Sequence, residues 1–171
     1  MAWFQKKAPD SSPRAREPGS PISALLREEA VLLAPPGLDK AAVLEAVVGA
    51  LCRAHGLGEP APLLACVRER EQGISTTLDS GLSLPHARID GIERVAAALA
   101  IAPHGLRDPK QPDVKVRAMF LFFSPNRPEA FTRHLQLLRG VSTLFQSALI
   151  SELCALKTPA HILARLRAAE A

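Results

Sequence analysis

The feature that most constrains this chain is the run Val114-Lys115-Val116-Arg117-Ala118-Met119-Phe120-Leu121-Phe122-Phe123. Its first half alternates apolar with basic residues, the period of a strand, and its second half is apolar at every position. A strand that is apolar on both sides belongs in the middle of a sheet covered above and below, because either face left in water would expose large side chains. A second run, Val95-Ala96-Ala97-Ala98-Leu99-Ala100-Ile101, reads as another strand, bounded by Arg94 and by the turn Pro103-His104-Gly105. The rest of the chain therefore has to supply helices to cover the sheet.

The helical signals are present. Asp39 precedes Ala42, Val43, Ala46, Val47, Ala50 and Leu51 at three- and four-residue spacing, which predicts one helix face with Asp39 as N-cap and Gly56 as the stop. Residues 60–72 read as a second helix, with Pro62 in its first turn and Leu63, Leu64 and Val67 as its apolar face. Phe131, Leu135, Leu138, Val141 and Phe145 form a stripe on a helix starting near residue 127, and shorter helices are expected over 147–156 and 159–169. Residues 22–26 read as a helical turn or two, Val31-Leu32-Leu33 as a short strand, residues 73–81 as a loop, and Leu82-Ser83-Leu84 as a strand stopped by Pro85. The expected class is α/β, with a central mixed sheet of about five strands flanked by helices on both faces.

Composition narrows what such a fold does. A length of 171 residues favours a single domain, and 47% hydrophobic with 22% charged residues is the balance of a soluble globular protein. Residues 1–21, with Pro9, Pro13, Pro18, Gly19 and Pro21, cannot bury enough apolar surface to offset their chain entropy. They are expected to be a disordered basic tail ahead of a domain over 22–171. The formal net charge of +4 is spread out, with Lys6, Lys7, Arg14 and Arg16 in the tail. No clustered basic face with aromatic support is visible, so nucleic acid is not an expected partner. Cys52, Cys66 and Cys154 make no C-x-x-C pair and read as small apolar residues in a reducing compartment. There is no signal-peptide run and no stretch near the ~18 apolar residues of a membrane span, so a cytoplasmic protein without membrane insertion is expected.

Of the five histidines, His55 and His161 lie near expected helix ends and His104 in the Pro-His-Gly turn, all positions for surface histidines. His86 differs. Pro85 fixes the backbone before it, and the segment leads out of a strand into a loop holding Arg88. An unperturbed imidazole has a pKa near 6.5 and is largely neutral at neutral pH, able to attack a phosphoryl donor with nitrogen. The product would carry roughly two negative charges and need cations or N–H donors. Arg70 and Arg88, with the hydroxyls of Ser75, Thr76 and Thr77, are the candidates. Two other chemistries fit poorly. Gly81-Leu82-Ser83-Leu84-Pro85 departs from a hydrolase nucleophile elbow at its last position, and no helix follows directly. His86, His134 and Asp79 come from separate elements without metal-ligand spacing, so neither a metal nor another cofactor is expected.

Arg70-Glu71, the small-residue loop with Ser75-Thr76, Gly81 and Pro85-His86-Ala87-Arg88 together resemble the active-site stretch of the EIIA domains of the fructose–mannitol class (type 2) of the sugar phosphotransferase system. His134-Leu135-Gln136-Leu137-Leu138, after an apolar strand and the Ser124-Pro125 turn, resembles that family's His-Leu-x-x-Leu helix. The resemblance covers about residues 22–170. It implies that His86 accepts a phosphoryl group from the phosphocarrier HPr, that His134 helps hold it, and that Arg70 pairs with the phosphate. Arg88, Ser75, Thr76 and Ser80 are the further phosphate-binding candidates it implies. Downstream partners would be an EIIB domain or regulatory target proteins. As given, the chain carries no EIIB-like or membrane region after the domain, and the stand-alone nitrogen-regulatory branch is the expected type. The family's loop, Gly-Ser-Thr-Gly-Ile-Gly-Asn-Gly, is here Ile74-Ser75-Thr76-Thr77-Leu78-Asp79-Ser80-Gly81. Asp79 would repel a phosphoryl group within ~4–6 Å unless it points away. The alternative reading is therefore a degenerate EIIA-like module that binds partners without carrying phosphate. The site is expected to be a shallow depression, with Leu78, Leu82 or Leu84 either at its rim or in the core.

Overall fold

The computed structural model describes residues 20–171. Most of the expected tail lies outside the described residues; of its end, Ser20 is exposed and Pro21 opens a 3-10 turn, Ile22–Leu25. Five strands follow in chain order: β1 (Leu26–Leu33), β2 (Leu82–Ser83), β3 (His86–Ile89), β4 (Ala96–Arg107) and β5 (Lys115–Pro125). The helices are α1 (Lys40–His55), α2 (Pro60–Gly73), α3 (Phe131–Leu144), α4 (Ser147–Cys154) and α5 (Pro159–Glu170). The sheet runs β1-β4-β5, with β2 and then β3 in line along the far side of β5. β4 and β5 are antiparallel, while β1 lies parallel to β4 and β2 and β3 lie parallel to β5. The sheet is therefore mixed, as the sequence predicts.

The two apolar runs become the two central strands, and each divides its residues between two cores. Ala97, Leu99, Ile101, Phe120 and Phe122 pack with Leu137, Val141, Leu149 and Ile162 of α3, α4 and α5. Ala98, Ala100, Met119, Leu121 and Phe123 pack with Val43, Val47, Leu51 and Val67 of α1 and α2. Full burial of a large apolar side chain contributes ~1.5–3 kcal/mol, so Phe120, Phe122 and Phe123, each 0% exposed, anchor both layers. α1 begins where the sequence places it: Asp39 accepts the Ala42 N–H at 2.8 Å, and Gly56 ends the helix at φ 65°.

Several expectations are corrected. β4 does not stop at Ile101 but runs through Pro103, His104 and Gly105 to Arg107, because a register shift between Ile101 and Leu106 absorbs the Pro-His-Gly segment as an irregularity within the ladder. Arg88 lies in β3 and not in a loop, since pairing with β5 resumes immediately after Pro85. On α3 the expected stripe is rotated at its start: Phe131 and Leu135 are 46% and 48% exposed, and His134, Leu137 and Val141 face inward. A polar residue, His134, holds the inward position there, and an apolar stripe alone does not register it. His55 is half-buried, with Nε2 3.1 Å from the Ala97 carbonyl, and burial lowers its pKa. Of the two places open to them, Leu82 and Leu84 take the core, as the sequence allows, and Leu78 packs partly buried against the same cluster. Cys52 and Cys154 are buried free thiols whose pKa burial raises, and no helix among the described residues is long and apolar enough to cross a membrane.

Candidate functional site

Pro85 has no N–H for the ladder, but its carbonyl accepts the Phe122 N–H, and His86 then opens β3 opposite Phe122. The two-residue period of a strand sends Ala87 and Ile89 into the α1–α2 core and leaves His86 and Arg88 on the α3 side. Ahead of this segment, Gly81 holds φ 90°, and its carbonyl accepts the N–H groups of Arg117 and Ala118. A Cβ there would stand 3.0 Å from the Lys115 carbonyl, so the approach to β5 needs glycine.

The His86 ring stacks on Phe122 with centroids 5.6 Å apart and planes at 15°. Its Nδ1 is 2.8 Å from the Leu84 carbonyl. A carbonyl only accepts, so Nδ1 carries the proton and the lone pair belongs to Nε2. Nε2 is buried and has no hydrogen-bond partner. Burial lowers the His86 pKa; the Leu84 hydrogen bond opposes that, the Arg70 charge reinforces it and the Glu71 charge resists it. His86 is 5% exposed, so the site is closed over the imidazole rather than an open depression.

His134 reaches in from α3, its ring 5.4 Å from that of His86 and 5.3 Å from Phe122. Its Nδ1 is 2.5 Å from Ser124 Oγ, which is buried at the end of β5. Burial, then the charges of His86, Arg88 and Arg70, push the His134 pKa down to about 4. Two imidazoles with lowered pKa thus lie side by side, with the Arg70 charge acting on both and the Arg88 charge on His134. Arg70 is exposed in the last turn of α2. Arg88 lies 5.0 Å over the Phe131 ring and donates from Nη2 to the Arg127 carbonyl at 2.8 Å, while its Nε is buried without a partner.

The hydroxyl candidates are placed differently. Ser75 Oγ donates to Asp108 Oδ2 at 3.0 Å, Thr77 Oγ1 donates to the same oxygen at 2.5 Å, and Thr76 Oγ1 donates to Glu71. Ser80 Oγ is buried with no partner, and the Ser80 carbonyl accepts from Ser147 Oγ. Asp79 is exposed, and the side-chain charges acting on His86 are those of Arg70 and Glu71. Among the described residues no group of three or more His, Cys, Asp or Glu is placed to hold a metal.

Three residues at the site escape sequence reasoning. Phe122 reads only as core, although its ring is the platform for both imidazoles. Ser124 reads only as the end of a strand, although it holds His134. Asp108, between Arg107 and Pro109, reads only as turn chemistry.

The family model of the phosphoenolpyruvate-dependent sugar phosphotransferase system, EIIA 2, matches residues 24–169. Among solved structures, the nitrogen regulatory protein IIA-Ntr from Neisseria meningitidis aligns with a TM-score of 0.72 at 24% identity, covering 85% of this chain and 98% of that one. IIA mannitol from Escherichia coli aligns with a TM-score of 0.68 at 19% identity, covering 82% and 98%. The same enzyme in complex with phosphorylated enzyme IIB mannitol aligns with a TM-score of 0.66 at 17% identity, covering 84% and 97%. These likenesses establish the shared fold. No curated protein matches the chain in sequence.

Proposed function

The chain belongs to the EIIA type 2 family of the phosphoenolpyruvate-dependent sugar phosphotransferase system, and from that premise we propose that it carries a phosphoryl group on Nε2 of His86. One observation carries this reading. Nδ1 is committed to the Leu84 carbonyl, which leaves Nε2 as a neutral, unpartnered nitrogen with its lone pair free, facing a second neutral imidazole. In the transfer, the Nε2 lone pair forms a bond to the phosphorus as the bond to the donor breaks, and the donor keeps that electron pair. The ring then bears positive charge, which the Nδ1–H to Leu84 hydrogen bond spreads onto a fixed backbone dipole. The incoming group brings roughly two negative charges, for which Arg70 and Arg88 are the cations at hand. Ser75, Thr76 and Ser80 join as phosphate donors only if their hydroxyls turn, since two now serve carboxylates. Nε2 is covered, so docking of the donor has to uncover it.

The donor in this reading is an HPr-like carrier in the cytoplasm, and the acceptor is an EIIB domain or a regulatory target of the nitrogen type. Support for the last point comes from the likeness to IIA-Ntr, and support for an EIIB acceptor from the mannitol complex. A second reading, an EIIA-like regulatory module that takes no phosphate, is favoured by the burial of His86 and by the commitment of the Ser75 and Thr76 hydroxyls. Incubation with ³²P-labelled phospho-HPr separates the two. The carrier reading expects label on the wild type and none on His86→Ala. An unlabelled wild type establishes the second reading.

A further inference from the structure

We propose that Asp108, in the connection from β4 to β5, is a positioning residue for His86: it fixes the loop that sets which nitrogen of that imidazole carries the proton. Its consequence for phosphoryl transfer rests on the reading of His86 as the acceptor; its consequence for the unphosphorylated imidazole does not.

The hydrogen bonds run without a gap from one residue to the other. Asp108 is 2% exposed, and its carboxylate takes four donors. Oδ2 accepts from Lys40 Nζ at 3.1 Å, Ser75 Oγ at 3.0 Å and Thr77 Oγ1 at 2.5 Å, and Oδ1 accepts from the Lys110 N–H at 2.9 Å. Between those two hydroxyls, Thr76 Oγ1 donates to Glu71, whose carboxylate is 3.6 Å from the same Lys40 ammonium. Lys110 Nζ closes the cluster by donating to the Glu71 carbonyl. Three successive side chains, Ser75, Thr76 and Thr77, are thereby tied to two carboxylates, which leaves the backbone between them little freedom. That backbone is what aligns the segment before His86. The Thr76 carbonyl accepts the Leu84 N–H at 3.1 Å, Thr77 bridges Ser83, and Leu78 N–H donates to the Leu82 carbonyl at 2.8 Å. Leu84 in turn presents its carbonyl to His86 Nδ1 at 2.8 Å, with Pro85 restricting the backbone in between.

The aim of the Leu84 carbonyl therefore depends on a loop held by Asp108. When the loop is loose, the imidazole is free to move its proton to Nε2, which removes the lone pair needed for attack on phosphorus. Asp108 touches neither histidine in this scheme, so its effect reaches the reaction only through the proton distribution and orientation of His86.

The test compares wild type, Asp108→Asn and Ser75→Ala as full chains. Imidazole ¹⁵N shifts of His86 in the unphosphorylated protein read the tautomer, and rapid-quench phosphorylation over a range of phospho-HPr concentrations reads the transfer step. The wild type is expected as the Nδ1–H tautomer. Asp108→Asn is expected to show a mixture of tautomers and a maximal transfer rate lower by about tenfold, below the ~100-fold that a 1 Å misplacement of a reacting group can cost. The donor concentration at half-maximal rate should stay unchanged. Ser75→Ala, at a partly exposed position, should move both readouts in the same direction and by less, and it decides the matter if Asp108→Asn does not fold. Wild-type ¹⁵N shifts in the folded variants overturn the proposal, as does a rate loss lying wholly in donor affinity. An unlabelled wild type whose tautomer still shifts in Asp108→Asn removes the acceptor reading and leaves the positioning role standing.

Discussion

Two buried polar clusters in this protein follow opposite rules. Around Asp108 the carboxylate is saturated, with Lys40, Ser75, Thr77 and a backbone N–H all donating to it. Burial alone would raise the Asp108 pKa, but the hydrogen bonds from Thr77, Lys110 and Lys40, with the Lys40 charge, hold it well below the usual carboxylate range. Around His86 the same depth of burial leaves Nε2 and the nearby Arg88 Nε without partners. A buried polar atom without a partner carries a desolvation cost that a saturated one does not. The first cluster is closed on itself, whereas the second keeps a nitrogen lone pair and an N–H without partners.

The sharpest way to break that contrast is to delete each centre. Asp108→Ala leaves the Lys40 ammonium with only the Glu71 carboxylate at 3.6 Å, takes away the acceptor shared by the Ser75 and Thr77 hydroxyls, and should lower stability by about 3 kcal/mol in urea titration. His86→Ala removes a stacked ring but only one hydrogen bond and leaves no charge behind, and should cost less. A reversed order would show that His86, not Asp108, is the structural centre.

A third effect comes from pH. The folded-state pKa of His134 is about 4 against an ordinary 6.5, so below 6.5 the unfolded chain binds a proton that the folded chain refuses. The charged groups acting on the pair are Arg70 and Glu71 from α2 and Arg88 from β3, together with His86 acting on His134. The stability present above pH 6.5 should therefore decline as pH falls toward 4, and in His134→Gln that decline should be shallower in parallel urea titrations. Equal slopes would place the protonation elsewhere. The smallest effect sharpens the comparison within one segment. Ser83 is 0% exposed with its hydroxyl unpartnered, so Ser83→Ala should change stability by no more than about 0.5 kcal/mol. A loss beyond about 1 kcal/mol would reveal a partner for that hydroxyl.

Much of this was legible in the sequence where local chemistry decides. Asp39 and Gly56 bound α1 because a cap and a left-handed residue act within one turn, and the run to Phe123 marked the sheet centre because its pattern is its own. What stayed hidden depends on distant partners. Asp108 draws its side-chain donors from Lys40, Ser75 and Thr77, 68, 33 and 31 residues away, and nothing around Asp108-Pro109 announces them. The register of α3 depends on distant partners too, since the packing of His134 against Phe122 and Ser124 turns a polar residue inward. The resemblance pairs His134 with His86, but their mutual distance and the closure over Nε2 belong to the fold.

The break at Pro85 reaches beyond the imidazole it precedes. It splits the strand along β5 into pieces of two and four residues on the outer side of the sheet. Short, proline-interrupted borders are how sheets avoid recruiting a neighbour's backbone into a continuous ladder. Along β2 the far side is already taken, since Thr76, Thr77 and Leu78 pair with Leu84, Ser83 and Leu82, so a neighbouring strand meets no free continuous ladder there.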